Sequence, residues 1–167
     1  MACVTIFSSQ PANGEGGYSG EDASVGPLSV IVVDDATEIR ELLRLILAET
    51  GCRVRFAEDV EQALDLIVGD VPDLLLLDNG LPGAQQGLDL CARIKTDSQD
   101  PLPVVVMLTA DDDPRTIMRA RALGADGYVV KPFTPTQILG LVDAFDAWRL
   151  RPARRVPAFW PICSHDR

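Results

Sequence analysis

The chain has 167 residues, 47% of them hydrophobic, and a formal net charge of −10 at pH 7. This length suits one well-packed domain with tails and is short for two. The acidic balance argues against nucleic-acid binding by the body of the chain, because phosphates would be repelled. Only the segment 149–155, with four arginines and no acid, is basic.

Signals for export or membrane insertion are missing from the sequence. The N-terminus, MACVTIFSSQ, lacks a positive segment followed by a long apolar one, and no run of about 18 apolar residues occurs. The four cysteines (Cys3, Cys52, Cys91 and Cys163) show no C-x-x-C spacing, which favours free thiols in a reducing compartment. We therefore expect a soluble cytoplasmic protein with no membrane partner.

Both ends of the chain are predicted to be tails. Residues 8–27 are dominated by Ser, Gly, Pro, Ala and acids, which cannot bury enough apolar surface to offset the entropy of ordering. After Leu150 the proline spacing in RPARRVPAFWP argues against more helix. The prediction is a disordered leader at 1–27, a folded domain at 28–150 and a flexible, basic, proline-containing tail at 151–167.

Between these tails, short apolar strands alternate five times with amphipathic helices. This pattern predicts a doubly wound parallel sheet with helices on both faces. The last helix has the clearest start signal, with Thr134 as N-cap, Pro135 at the first helical position and Gln137 two residues later. The predicted strands are Leu28–Val33, Cys52–Ala57, Leu74–Leu77, Val104–Leu108 and Tyr128–Val130, and the predicted helices span residues 39–47, 60–68, 88–95, 114–123 and 135–150.

Polar residues follow four of the five strands. They are Asp34 and Asp35, Asp78, Thr109, and Lys131. Ligands of open parallel sheets bind at the carboxyl ends of the strands, so we expect these side chains to meet there. Carboxylates about 4 Å apart repel by about 4 kcal/mol per pair at an effective dielectric near 20, which calls for a cation. Mg²⁺ prefers such oxygen ligands, and the set as a whole suits a phosphoryl group in transfer.

The motifs at these positions resemble a known family. The pair Asp34-Asp35, Asp78 followed by NGLPG, the pair Thr109-Ala110 and the segment GADGYVVKPF are together similar to the receiver domains of response regulators in two-component phosphorelays. The resemblance covers residues 28 to about 148 and implies a flavodoxin-like (βα)5 fold.

The resemblance also implies a role for each matching residue. Asp78 would accept the phosphoryl group, and Lys131 would contact that group. Thr109 and Tyr128 would be the switch residues, and Pro132 would follow a cis peptide bond. The implied Mg²⁺ ligands are the carboxylates of Asp34, Asp35 and Asp78 and the backbone carbonyl of Gly80.

A receiver of this kind would take its phosphate from a phosphohistidine on a sensor histidine kinase or a histidine phosphotransfer protein. It would catalyse only its own phosphorylation and dephosphorylation and would not be a turnover enzyme. Its output would be a change in affinity for a downstream protein at the face formed by the fourth helix, fifth strand and fifth helix. A phosphorylation-dependent homodimer is a second form of output, and the receiver itself would bind no nucleic acid.

The loop after Asp78 departs from the family's usual pattern. It reads NGLPGAQQGLDL, so that Gln85-Gln86-Gly87 stands where an Asp-Gly pair is more common, with one apparent extra residue. Because this loop borders the site, partner choice or the rate of dephosphorylation could differ. The principal site residues are all present.

Three other functions are compatible with parts of the pattern. A phosphate-independent interaction module would need no intact site, and a flavin-binding module would need a phosphate-binding loop that the first strand lacks. A Mg²⁺-dependent phosphohydrolase with an aspartyl nucleophile usually has a second Asp where Gly80 stands. Two other clusters are set aside: Asp111–Asp113 is interpreted as a solvated helix start, and Cys163 with His165 is too small a set to close a metal site.

Overall fold

The computed structural model describes residues 26–82, 87–96 and 102–150 and the backbone of two short strands at 4–6 and 160–162. From residue 29 to residue 149, strands and helices alternate as the sequence predicts. In chain order the strands are β1 (Val4–Ile6), β2 (Ser29–Val33), β3 (Arg53–Ala57), β4 (Leu74–Asp78), β5 (Val104–Thr109), β6 (Gly127–Val130) and β7 (Trp160–Ile162). The helices are α1 (Thr37–Leu47), α2 (Val60–Gly69), α3 (Gly87–Thr96), α4 (Pro114–Ala122) and α5 (Pro135–Arg149).

All strands join one sheet in the order β3-β2-β4-β5-β6-β1-β7. Strands β2 to β6 are parallel, which confirms the predicted five-stranded parallel sheet. The chain runs outward from β2 to β3 and then returns to β4 on the other side of β2. A crevice therefore opens between the carboxyl ends of β2 and β4, where the strand order reverses.

Alternating side chains divide the core between the two faces of the sheet. On one face, residues such as Ile31, Leu75 and Met107 pack under α2, α3 and α4. On the other face, residues such as Val32 and Leu76 pack under α1 and α5. Burying each such side chain contributes about 1.5–3 kcal/mol, so this two-sided core is what fixes the strand ends in place.

Helix boundaries follow local signals in the sequence. The predicted start of α5 is confirmed: Thr134 Oγ1 accepts a hydrogen bond from the Gln137 backbone N–H at 3.3 Å, and Gln137 Oε1 accepts one from the Thr134 N–H at 2.7 Å. Most other predicted ends lie within one or two residues of the observed ones.

No helix within the described residues has the length and apolar character needed to cross a membrane.

The sequence does not predict the two terminal strands, which lie within the segments interpreted as tails. Strand β1 pairs antiparallel with β6, with Val4 opposite Val129 and Ile6 opposite Gly127, and β7 pairs antiparallel with β1. The residues of β1 (Val, Thr and Ile) are all β-branched and favour strands, and without β1 the strand β6 would be an open edge. Apart from residues 26 and 27, the rest of the predicted leader and tail lies outside the described residues.

Candidate functional site

Three carboxylates meet in the crevice between β2 and β4. Asp34 and Asp35 directly follow β2, and Asp78 is the last residue of β4, the strand beside it. One carboxylate oxygen from each of the three lies within 4.8 Å of the other two. Asp34 and Asp78 are buried, whereas Asp35 is exposed. The structure thus brings together the acidic residues that the strand ends predict.

Lys131 binds two of these carboxylates. Its Nζ donates hydrogen bonds to Asp34 Oδ2 at 2.6 Å and to Asp78 Oδ1 at 2.8 Å. The residue follows β6, its backbone N–H donates to the carbonyl of Thr109 at 2.6 Å, and the peptide bond to Pro132 is cis, as expected. The backbone of Lys131 is thus anchored to the end of β5, and its ammonium group bridges two of the three carboxylates.

Burial and charge act against each other in this cluster. Burial raises the pKa of Asp34, and the hydrogen bond and charge of Lys131 only partly offset it. For Lys131, burial favours the neutral amine, but the hydrogen bonds and charges of Asp34 and Asp78 together raise its pKa. The ammonium group of Lys131 pairs with two carboxylates, and a third lies close to them. The cluster therefore keeps an excess of negative charge, which suits a divalent cation.

Thr109 and Tyr128 both attach to the loop between β5 and α4. Thr109 is buried at the end of β5, and its Oγ1 accepts a hydrogen bond from the Asp111 N–H at 3.0 Å. The Tyr128 ring is buried, and its hydroxyl donates to the Asp111 carbonyl at 2.6 Å. Burial raises the pKa of this phenol. Both side chains are thus coupled to Asp111, whose own position determines how α4 begins.

Two glycines surround Asp78. The Gly80 N–H donates a hydrogen bond to Asp78 Oδ2 at 2.8 Å, which fixes the oxygen that Lys131 does not bind. Gly87 begins α3, and a Cβ atom there would lie 1.9 Å from the Asp78 backbone oxygen. The loop therefore returns against Asp78 at a point where only glycine fits. Residues 83–86, including Gln85 and Gln86 of the unusual loop, lie outside the described residues.

The acidic run before α4 forms a helix start, as the sequence predicts. The Asp111 carboxylate accepts hydrogen bonds from Thr116 Oγ1 at 2.7 Å and from the Asp113 N–H at 2.8 Å, and these bonds lower its pKa. Asp113 caps the helix by accepting from the Arg115 N–H at 2.9 Å. Within the described residues, these acids join no metal-type cluster. Cys163 and His165 lie outside the described residues.

One residue beside the site was not singled out from the sequence. Arg40, in α1, donates hydrogen bonds through Nη1 to the backbone carbonyls of Asp34 at 2.8 Å and Asp35 at 2.9 Å. The only signal for it in the sequence is an arginine five residues after the acidic pair. That spacing alone does not distinguish it from an exposed helix residue.

Comparison with known proteins is consistent with this geometry. The family model described as "Response regulator receiver domain" matches residues 30–143. The chain belongs to the response regulator receiver family. The receiver is 35% identical over 116 residues to the phosphate regulon transcriptional regulatory protein PhoB of Pseudomonas aeruginosa, and 38% identical over 118 residues to the response regulator MprA of Mycolicibacterium vanbaalenii.

These alignments cover 70% and 71% of the chain and 50% of each relative, so the receiver spans about half the length of the curated relatives it matches. Among solved structures, the chemotaxis protein CheY4 of Vibrio cholerae aligns with a TM-score of 0.67 at 28% identity, covering 72% of this chain and 99% of that one. A putative response regulator from Chloroflexus aurantiacus aligns with the same TM-score at 34% identity, over 72% of this chain and 98% of that one. The receiver fold and a place in two-component signalling follow from these matches.

Proposed function

We propose that the chain is a phosphorylation switch in which Asp78 accepts a phosphoryl group from a phosphohistidine, with Mg²⁺ bound beside it. The donor would be a sensor histidine kinase or a histidine phosphotransfer protein. The observation that carries this proposal is the pair of contacts on Asp78: Lys131 Nζ at 2.8 Å from one carboxylate oxygen and the Gly80 N–H at 2.8 Å from the other. Such contacts orient a carboxylate for attack on phosphorus.

The donor set at the crevice fits Mg²⁺. Hard dications prefer oxygen ligands, and the carboxylates of Asp34, Asp35 and Asp78 converge here with an excess of negative charge. We include the backbone carbonyl of Gly80 as a fourth ligand. When bound, the ion would neutralise charge on the phosphoryl oxygens, which is the usual contribution of a metal to this chemistry.

The residues of the chain account for the rest of the transfer. A bond forms between a carboxylate oxygen of Asp78 and phosphorus while the bond from phosphorus to the imidazole nitrogen breaks, and that nitrogen keeps the electron pair. Lys131 would balance the charge of the phosphoryl oxygens, and Thr109 would donate its hydroxyl hydrogen bond to one of them. The protein would act only on itself and would not turn over a small substrate.

The output would be a shift between two conformations. If Thr109 moves toward the phosphoryl group, its hydrogen bond from the Asp111 N–H is lost, and the loop that also binds Tyr128 must rearrange. A switch from 1:99 to 99:1 requires about 5.5 kcal/mol of differential stabilisation. The shift would be passed on to α4, which this loop precedes.

The surface that would report the shift is the face formed by α4, β6 and α5. On α4, Met118 is 71% exposed, and Arg115 and Arg119 are exposed beside it. The outer edge of β6 is paired with β1, so the helices are the more accessible part of this face. Either a downstream protein or a second phosphorylated copy of the chain would bind there. The cytoplasmic location stays a prediction.

The experiment that tests the proposal is intact-protein mass spectrometry after treatment with acetyl phosphate, with Mg²⁺ or with EDTA. We expect one added phosphoryl group in the parent only with Mg²⁺, none in Asp78→Asn, and an unchanged result in Asp65→Asn, an exposed acid on α2. Addition to Asp78→Asn would contradict the assignment. If the parent gains no phosphoryl group and does not bind beryllofluoride either, the chain is a phosphate-independent module. Steady release of phosphate from small esters would instead indicate a hydrolase.

A further inference from the structure

The Arg40 side chain contacts three segments of the chain around the acidic pair. Besides the carbonyls of Asp34 and Asp35, its guanidinium donates through Nη2 to Thr37 Oγ1 at 3.2 Å and to Glu58 Oε2 at 3.4 Å. The side chain is only 15% exposed. It therefore joins the loop after β2, the first turn of α1 and the loop after β3.

The start of α1 lacks the usual means of fixing its geometry. The N-cap is Ala36, which has no side chain to accept a hydrogen bond from the first turn. The loop is fixed instead by the bond from the Ala36 N–H to Asp34 Oδ1 at 3.0 Å and by Arg40. Without Arg40, two neighbouring carbonyls beside the acidic cluster would lose their shared donor.

Asp35 depends on this arrangement more than Asp34 does. The carboxylate of Asp34 is held at both oxygens, by the Ala36 N–H and by Lys131. Within the described ranges, no group donates a hydrogen bond to the carboxylate of Asp35, which is exposed. Only the backbone from which it projects therefore fixes where the Asp35 side chain begins, and Arg40 holds that backbone.

We propose that Arg40 is a positioning residue of the Mg²⁺ site: it fixes the Asp34–Asp35 backbone and so keeps the Asp35 carboxylate beside those of Asp34 and Asp78, where it would bind the ion. This inference rests on the proposed function. In this role Arg40 would contact neither the ion nor the phosphoryl group and would act only through the two carbonyls.

The positive charge of Arg40 and its contacts with the two carbonyls predict opposite changes in Mg²⁺ affinity when the side chain is removed. Removing a positive charge near a cation site strengthens cation binding, because the ion is no longer repelled. Removing a residue that orients a ligand weakens it, by about 10- to 100-fold for supporting residues of metal sites. The direction of the change in Mg²⁺ affinity therefore separates the two roles.

The matched control is Arg44, one turn further along α1. Its side chain is 54% exposed, it pairs with Glu41 at 3.2 Å, and its guanidinium carbon lies 4.2 Å from the centre of the Phe56 ring. None of these contacts involves the acidic loop. Arg44→Ala thus removes the same charge from the same helix and leaves the proposed positioning contacts in place.

The experiment is calorimetric titration of the full chain with MgCl₂, well below the melting temperature of each variant. We expect Arg40→Ala to bind Mg²⁺ about 10- to 100-fold more weakly than the parent. Arg44→Ala should bind as the parent does or slightly more tightly. Arg40→Lys keeps the charge and can donate to one carbonyl, but it lacks the planar guanidinium group. Its Mg²⁺ affinity should therefore lie between those of the parent and Arg40→Ala. With acetyl phosphate, Arg40→Ala should need more Mg²⁺ but reach a parent-like rate at saturation.

Unchanged or tighter Mg²⁺ binding in Arg40→Ala would overturn the positioning role and leave the proposed function intact. If Arg40→Ala does not fold, Arg40→Lys decides: parent-like affinity in that variant counts against the inference, and a loss supports it. Failure of the parent itself to bind Mg²⁺ would instead contradict the proposed function, and the inference with it.

Discussion

A half-buried lysine lies near each end of the sheet, and the two differ in the carboxylates that they bind. At the carboxyl end, Lys131 is 18% exposed and binds two buried carboxylates, with a third close by. At the amino end, Lys95 is 15% exposed and pairs at 2.5 Å with one carboxylate, that of Asp126, which is 12% exposed. The burial of the two ammonium groups is similar, so the difference lies in their partners.

The amino-end pair is balanced in charge and in hydrogen bonds. Lys95 Nζ also donates to the Pro103 carbonyl at 2.8 Å, and Asp126 Oδ2 accepts from the Val105 N–H at 2.8 Å. The pair thereby joins α3 to the starts of β5 and β6. Buried charges are tolerated when they are paired and hydrogen-bonded in this way.

The carboxyl-end cluster is unbalanced by comparison. One ammonium cannot neutralise three carboxylates, and burial raises the pKa of Asp34 despite its bond to Lys131. A pair that serves only folding has no reason to keep such an excess of one sign. The contrast teaches that unbalanced charge, rather than buried charge, distinguishes the candidate site from the structural ion pair.

The largest expected effect is on stability at the amino end. Asp126→Ala leaves Lys95 buried without its carboxylate and the Val105 N–H without its acceptor, so the free energy of unfolding should fall by about 3–5 kcal/mol. Urea denaturation of the parent and the variant measures this change. Asp65→Ala, on the exposed side of α2, is the control and should change stability by less than about 0.5 kcal/mol. A loss at Asp126 no larger than at Asp65 would remove the contrast between the two ends.

The next effect concerns the excess charge at the carboxyl end. Mg²⁺ that binds only the folded state, at a free concentration of 100 times its dissociation constant, should raise the free energy of unfolding of the parent by about 2.7 kcal/mol. Asp34→Asn removes one of the carboxylates, so most of that gain should be lost. Without Mg²⁺, the same variant should be as stable as the parent or more stable, because Lys131 keeps Asp78 as its partner and burial disfavours the charged form of Asp34.

Urea denaturation with and without MgCl₂ measures both parts of this prediction, with NaCl at equal ionic strength as the control for screening. A parent that gains nothing from Mg²⁺, or an Asp34→Asn variant that gains as much as the parent, would mean that the cluster does not bind the ion through Asp34.

A smaller effect is expected where α3 approaches the site. In Gly87→Ala the new Cβ would lie 1.9 Å from the Asp78 backbone oxygen, so the backbone must shift, at a cost of about 1–3 kcal/mol. Gly140→Ala in α5 is the matched control: its Cβ would contact nothing within 4 Å, and the variant should gain about 0.5–1 kcal/mol. Thermal melts compare the two, and equal effects would show that the approach to Asp78 is not tight.

The sequence predicts what is local and misses what depends on distant pairing. Apolar runs such as Leu74–Leu77 and capping residues such as Thr134 indicate an element without reference to the rest of the chain, so the five parallel strands and their helices were predicted. A three-residue strand has too little periodicity to be recognised. Strand β1 forms because β6, more than 120 residues further along the chain, offers it an edge.

The same distinction applies within the site. A polar side chain at the end of an apolar run is visible in the sequence, so the strand-end residues were predicted, and the structure brings the three aspartates and Lys131 together. Arg40 binds backbone carbonyls, and Gly87 lies against one. Carbonyl groups are present at every residue and leave no mark in the sequence, so neither contact could be predicted before the fold was known.

The last expected effect is chemical, involves no change in stability, and concerns the buried thiol of Cys91 beside the amino-end pair. Burial raises the pKa of the Cys91 thiol to about 12, while Lys95 lowers this pKa and Asp126 raises it again. Since the thiolate is the reactive form, Cys91 should be alkylated very slowly by iodoacetamide at pH 8 in the folded chain and at an ordinary rate in urea. Peptide mass spectrometry gives the rate at each cysteine, with the half-buried Cys52 as an internal reference. Rapid labelling of Cys91 in the native protein would contradict the burial that raises the pKa of this thiol.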